Sequence, residues 1–226
     1  MIVLFCLEPP KPGRAARTAE ILARKLTGVE QTVAVCAGGP ADSESLVWML
    51  QRRSFQRIIH VDDSSLEKAD FMTLGMVLAE VTRHLGASVV IAGEHSDVEG
   101  QGLVSAALAH HLRAPLISRV QDLRVSPSDA ERLEITTRAG GRLCTLEIPP
   151  LVVLSVPATA CEDIELDSPT PASSVEEMTL AHLALDPSRL VPRPELLGSH
   201  VPAPSDTPHS MTPDEAARFL RREPRE

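Results

Sequence analysis

Two hydrophobic periods alternate along the first 120 residues. Residues 1–7 (MIVLFCL) are continuously apolar, the pattern of a strand covered on both faces. Glu8-Pro9-Pro10-Lys11-Pro12-Gly13 forms a turn after it. Residues 14–26 then place Ala15, Ala19, Leu22, Ala23 and Leu26 at helical spacing, and Gly28 ends the run. A second strand is predicted over 32–36, closed by Ala37-Gly38-Gly39-Pro40. Asp42 or Ser43 suits the cap of a helix that turns Leu46, Val47 and Leu50 inward. A third strand is expected over 57–61, ending in the polar break Asp62-Asp63-Ser64-Ser65. Residues 70–85 carry Phe71, Leu74, Val77, Leu78, Val81 and Leu85 on one helical stripe. A fourth strand over 88–92 (SVVIA) leads through a polar loop to a helix over 102–112.

Strands and helices in this alternation imply crossover units, a mostly parallel sheet and helices on both faces. Ligands of such sheets bind beyond the carboxyl ends of the strands. In this chain those ends are residues 7–13, 37–40, 62–65 and 93–102.

After Leu116 the period becomes two. Residues 121–125, 132–138 and 142–148 alternate in polarity, and Ala139-Gly140-Gly141 turns the last pair. Leu133, Ile135 and Thr137 lie opposite Glu134, Thr136 and Arg138, which predicts an antiparallel hairpin with one wet face. Residues 151–156 are apolar again and are expected to rejoin the parallel sheet. From Cys161 onward no strand or helix period is read before Pro213. Ten of the 19 prolines lie at positions 169–226, so the chain divides into an α/β unit over 1–160 and an extended arm over 161–226. Thr212-Pro213-Asp214-Glu215 is a helix start, and Ala216, Ala217, Phe219 and Leu220 give that short helix an apolar face to dock.

Composition narrows the functions available. The net charge of −9 has the wrong sign for a general nucleic-acid binder, and one Trp, no Tyr and four Phe supply few stacking platforms. No apolar run approaches the length of a bilayer span, so no membrane insertion is expected. Residues 1–7 lack a basic lead and are expected to be a strand, not a signal peptide. Cys6, Cys36, Cys144 and Cys161 show no paired metal spacing. Cys6 and Cys36 sit in apolar runs as small buried side chains, and a reducing, cytoplasmic setting is expected.

The richest stretch is VVIAGEHSDVEGQGLVSAALAHHL, residues 89–112. Gly100 and Gly102 free the backbone before a helix whose first N–H groups can receive an anion. The plain structural alternative is a tight turn with close helix–sheet packing. Neither the full dinucleotide fingerprint nor the Walker lysine is present. Glu94, Asp97 and Glu99 oppose a phosphate unless they point away. His95 is a candidate acid, base or ligand, but no second ligand stands at metal spacing beside it. His110 and His111 are adjacent and should diverge on a helix as solvated residues. Ser96 and Ser105 lack a nucleophile-elbow setting. Arg52, Arg53 and Arg57 read as a solvated helix end, and Arg138 and Arg142 as surface charges beside the hairpin turn.

Taken in order, the strand SVVIAGEHSDVEGQG, the helix LVSAALAHHL, the strand PLISRVQDL, the hairpin ITTRAGGRLCTLEIPPLVVLSV and the Pro-rich arm resemble the beta subunit family of electron transfer flavoproteins, as a divergent member. The match is clearest over residues 85–157 and fainter before them. The resemblance implies an adenine nucleotide α-hydrolase-like core. It also implies a heterodimer with an alpha-type subunit that holds most of the FAD, and AMP or a second FAD at the strand ends. The expected redox partner is a flavin dehydrogenase or a quinone-side oxidoreductase. Carried over by position, the cofactor-binding set is Ala37, Gly38, Gly93, Glu94, His95, Ser96, Gly100, Gln101 and Gly102. The chain departs from the family pattern in three places. The segment after the first strand is short, Glu99-Gly100-Gln101-Gly102-Leu103 replaces a more polar loop, and residues 169–178 replace the usual lysine-bearing recognition loop. The resemblance implies a carrier, not an enzyme.

Overall fold

A seven-stranded, wholly parallel sheet organises the chain in a computed structural model. The structure describes residues 2–7, 14–27, 31–39, 46–47, 49–50, 55, 57–67, 69–94, 103–158 and 174–190. All of them fall in one compact unit, Met1–Arg193. The strands are β1 (Val3–Leu7), β2 (Thr32–Gly38), β3 (Arg57–Asp62), β4 (Val89–Gly93), β5 (Leu116–Ile117), β9 (Val152–Val156) and β10 (Ser174–Met178). Their order is β10-β3-β2-β1-β4-β9-β5. β6 (Val120–Val125), β7 (Leu133–Ala139) and β8 (Arg142–Ile148) form a separate antiparallel sheet. The helices are α1 (Arg14–Thr27), α2 (Phe71–Leu85) and α3 (Leu103–Leu112).

The period of two along each central strand feeds two cores. Leu4 and Cys6 of β1 face a core that includes α2 and α3, with Val77, Leu78, Val104 and Leu108. Val3 and Phe5 face the opposite core, built with Ala19 and Leu22 of α1 and with Leu123, Leu133 and Ile135 of the antiparallel sheet. The expected α/β architecture with helices on both faces therefore holds, and the antiparallel element shares a face with α1. Among the described residues the core carries one aromatic stack, Phe5 on Phe55 at 5.2 Å between centroids. Aliphatic burial supplies nearly everything else, as the composition requires.

Local signals set the element ends. Asp70 caps α2 by accepting the Thr73 N–H at 2.7 Å. Gly86, at φ 62°, closes α2 in the left-handed conformation, where its N–H reaches the Arg83 carbonyl at 3.1 Å. Gly75 lets α2 meet α3: a Cβ there would stand 2.5 Å from Ala107 Cβ and 2.7 Å from Leu108 N. Lys25 of α1 donates to Asp122 of β6 at 2.6 Å and ties the helix to the small sheet. Burial pushes the Asp122 carboxyl up, but the bonds from Lys25 and the Leu123 N–H, with the Lys25 and Arg124 charges, outweigh it and hold it below its usual value.

Several expectations change. The second strand runs through Ala37 and Gly38, which pair with Val61 and Asp62 of β3, so these two residues lie inside the sheet and not in the turn after it. In the helical segment around 46–50, Met49 is the buried side chain, while Val47 and Leu50 are exposed. Phe71, expected on the inner stripe of α2, is also exposed. PLISRVQDL does not make one strand; it breaks at Ser118-Arg119, and its halves join different sheets. The predicted hairpin gains β6 as a third strand, while Leu133, Ile135 and Thr137 take the buried face as expected. Beyond residue 161 a strand does form. β10 pairs in parallel with β3 at the sheet edge, where an edge strand needs one partner and only one buried face, so SVEEM shows no clear period. Part of the replaced recognition loop, 174–178, is thus edge strand. Arg57 is not a helix end: it lies on β3, and its Nε and Nη2 donate to Glu176 Oε2 of β10 at 3.1 and 2.7 Å. Arg52, Arg53, Gly28, the Asp42/Ser43 cap and the helix expected after Thr212 lie outside the described residues.

The β6–β7 connection is fastened by one carboxylate. Glu147 Oε1 accepts from the hydroxyls of Ser126 and Ser128, and Arg132 Nη2 donates to the Glu147 carbonyl at 3.0 Å. The Ser126 bond first, then the Ser128 bond and the Arg132 charge, hold this carboxyl below its usual value against a small desolvation.

Two outcomes follow. Gly75→Ala should cost about 1–3 kcal/mol by overpacking the α2–α3 crossing, read as a lower urea midpoint; adding Ala107→Gly should recover part of it. For Glu147 the folded pKa lies below the unfolded one, so its contribution is full above the unfolded value and fades as pH falls through the folded value. Wild type should therefore unfold at higher urea than Glu147→Gln at neutral pH, and the gap should close on acidification below the ordinary carboxylate range. A gap independent of pH would remove the carboxylate from this account.

Candidate functional site at the switch point of the sheet

From β1 the chain moves outward one way to β2 and β3, then crosses back to β4 on the other side of β1. The strand order thus reverses between β1 and β4, and the crevice outside their carboxyl ends is where open parallel sheets receive ligands. Leu7 and Gly93 end these two strands.

Gly93 and Glu94 of the expected set lie at that point, and Ala37 and Gly38 end β2 on the far side of β1. His95, Ser96, Gly100, Gln101 and Gly102 lie outside the described residues. Gly93 serves packing: a Cβ there would approach Ala15 Cβ to 3.1 Å and Ala16 N to 3.3 Å. The first turn of α1 takes the space that the missing side chain leaves. Glu94 anchors its backbone by donating N–H to the Val156 carbonyl of β9 at 2.7 Å. Its carboxylate stands 3.6 Å from Arg119 Nε. Sequence reasoning passed over Arg119, because PLISRVQDL was read as strand and nothing in its spacing marks a charge that returns to β4.

α3 opens on the same end of the sheet. Its third residue, Ser105, is buried, and its hydroxyl has no hydrogen-bond partner among the described residues. A buried hydroxyl without a partner costs on the order of 1–3 kcal/mol, so it leaves capacity for a ligand or a water at the start of this helix. On the rim beside β3, Asp63 accepts from the Ser65 N–H at 2.9 Å and opens a short 3-10 turn, Ser64–Leu66.

Among the described residues no group of three or more His, Cys, Asp or Glu side chains is placed to hold a metal ion. His110 and His111 do not diverge as expected: their rings meet edge to face, 5.4 Å between centroids. They lie in the last turn of α3, at the opposite end of that helix from the crevice. Cys6 and Cys36 are buried, as expected.

A model of the electron transfer flavoprotein domain matches residues 14–183. The chain belongs to that family. The match takes in α1, α2, α3 and every strand after β1. A curated relative, the electron transfer flavoprotein subunit beta of Methylophilus methylotrophus, is 26% identical over 165 residues. That alignment covers 69% of this chain, which spans about 60% of the relative's length. The resemblance read from the sequence therefore stands, and the low identity fits a divergent member. No described helix is long and apolar enough to cross a membrane.

Gly93→Ala should press α1 away from β4 and cost about 1–2 kcal/mol, seen as a lower urea midpoint. An unchanged midpoint would show that α1 yields freely at Ala15 and Ala16.

Proposed function

We propose that this chain is the beta-type subunit of an electron transfer flavoprotein, paired in the cytoplasm with an alpha-type subunit that holds most of the FAD. The observation that carries this reading is the family match over residues 14–183, on a fold whose strand order reverses between β1 and β4. The crevice outside that reversal is proposed to take the adenylate part of AMP or of a second FAD. The Ser105 hydroxyl, without a partner among the described residues, fits such a ligand. Gly100, Gln101 and Gly102 would present backbone N–H groups to its phosphate, with Gly93 to Ser96 entering the loop and Ala37 and Gly38 closing the other side. Bound flavin supplies the redox chemistry, and this chain's residues hold and orient it. A carrier needs no nucleophile or general acid. Electrons would pass from a flavin dehydrogenase towards a downstream acceptor, or to a quinone-side oxidoreductase.

A second reading has one observation in its favour. Gly93 is occupied by the first turn of α1, as in a scaffold of the same fold that holds no nucleotide.

Co-expression with an alpha-type subunit separates the two. The carrier should purify as a yellow 1:1 complex with a flavin spectrum, and acid should release AMP or FAD. Gly100→Asp or Gly102→Asp should abolish retention of that nucleotide. A colourless chain that recovers no partner would falsify the carrier reading and leave the scaffold.

A further inference from the structure

Arg119 stands where the chain leaves the parallel sheet, two residues after β5 ends and one before β6 begins. Its φ is 56°, in the left-handed region that glycine and asparagine enter readily and arginine does not. Nothing in the local sequence asks for an arginine at such a position. The surrounding structure nevertheless holds it there. Its carbonyl accepts from the Arg138 N–H at 3.3 Å and from Gln121 Nε2 at 3.2 Å. The Thr137 hydroxyl, bonded to the Ser118 carbonyl at 2.6 Å, lies 3.3 Å from the same oxygen. An unfavourable backbone held from several sides is a mark of a functional position.

The side chain returns across the end of β9 to Glu94, at the switch point. The pair does not account for the strain. At 3.6 Å, with the arginine side chain 62% exposed, it is a loose surface pair of small net worth. The charge around it is more informative. Asp62 ends β3, Asp63 follows it and Glu94 follows β4, in a chain of net charge −9. A phosphate entering this crevice would meet acids unless a cation met it first. The first turn of α1, packed against Gly93, contains Arg14 and Arg17 and no acid, although helix starts favour acids. This corner is therefore biased towards an anion, and Arg119 is the member of it that reaches over β4.

We propose that Arg119 is the phosphate-binding side chain of the switch-point crevice, with Glu94 as its partner while no ligand is bound. The ligand chemistry is the phosphate or pyrophosphate of an adenine nucleotide, which a guanidinium grips with two parallel N–H groups. This rests on the nucleotide reading proposed above and adds to it a residue outside the expected set. When a phosphate arrives, the guanidinium exchanges the Glu94 carboxylate for it, so Glu94 competes with the ligand.

Titration calorimetry on the full chain, alone and with its alpha-type partner, tests the assignment with two ligand pairs: AMP against adenosine, and FAD against riboflavin. Arg119→Asn is the main variant, because asparagine tolerates the left-handed backbone and should keep or raise the melting temperature. It should weaken AMP or FAD by about tenfold or more and leave adenosine and riboflavin unchanged. The affected pair names the source of the phosphate. Arg119→Lys should fall between, and Glu94→Gln should tighten the phosphorylated ligand by about twofold or more. Phosphorylated-ligand affinity within about twofold of wild type in Arg119→Asn overturns the proposal, as does an equal loss for adenosine or riboflavin. If wild type binds neither AMP nor FAD, the nucleotide reading itself fails and takes this assignment with it.

Discussion

The central strands must be covered on both faces, and most other features of the molecule answer to that. In β1, β2, β4 and β9 successive side chains enter two different cores, so neither parity of the strand is free to be polar. Val3, Leu4 and Phe5 are wholly buried one after another. Such strands favour branched aliphatic residues, which explains how a chain with four Phe and one Trp still folds around a continuous interior. It also confines polar chemistry to the strand ends. The fold thus produces a candidate site as a by-product of its connectivity, where α1 and α2 lie on opposite faces and leave the ends of β1 and β4 between them.

Close approach is the second constraint, and glycine carries it. Gly75 admits α3 against α2, Gly93 admits α1 against β4, and Gly39 admits the turn at Glu67, whose Cβ would lie 2.7 Å from an added Cβ. Each is a point where two backbones come nearer than side chains allow. From sequence alone a glycine at the end of a strand reads equally as a ligand approach or as packing. At Gly93 the structure supplies the packing partner, so that residue shapes the crevice by bringing α1 to it. The chemistry of the crevice then rests on the residues that follow.

Most of the fold could be read from the residues because its signals are strong and local. Continuous apolar runs gave the buried strands, and the apolar stripe over 70–85 bounded α2 to within a residue. Most of the misses share one cause: pairing decided locally what propensity did not. β10 exists because the open edge of β3 accepts SVEEM and Arg57 meets Glu176, an ion pair 119 residues apart in sequence. Ala37 and Gly38 extend β2 because β3 continues to Asp62 beside them. Met49 displaced Val47 and Leu50 from the interior because three apolar residues in one helical turn leave the facing side undetermined until the sheet is present. Of the candidate site, its position at the strand ends was readable, whereas its charge was not. Arg119 is 25 residues from Glu94, and only the kink between β5 and β6 brings them together.

That separation bears on how a divergent member keeps its fold while changing its chemistry. The two cores are built from residues whose roles are interchangeable among aliphatic side chains, and 26% identity to a beta subunit is compatible with their preservation. The rim is not interchangeable in this sense. Each rim residue acts through charge or through a backbone angle, and a single substitution there alters what the crevice admits without disturbing the sheet beneath it. Glu94 follows β4 and Arg119 follows β5, both outside the strands that bury the core. Family membership therefore accounts for the scaffold, and under the reading proposed above the choice of ligand would fall to a few rim groups whose electrostatics belong to this chain.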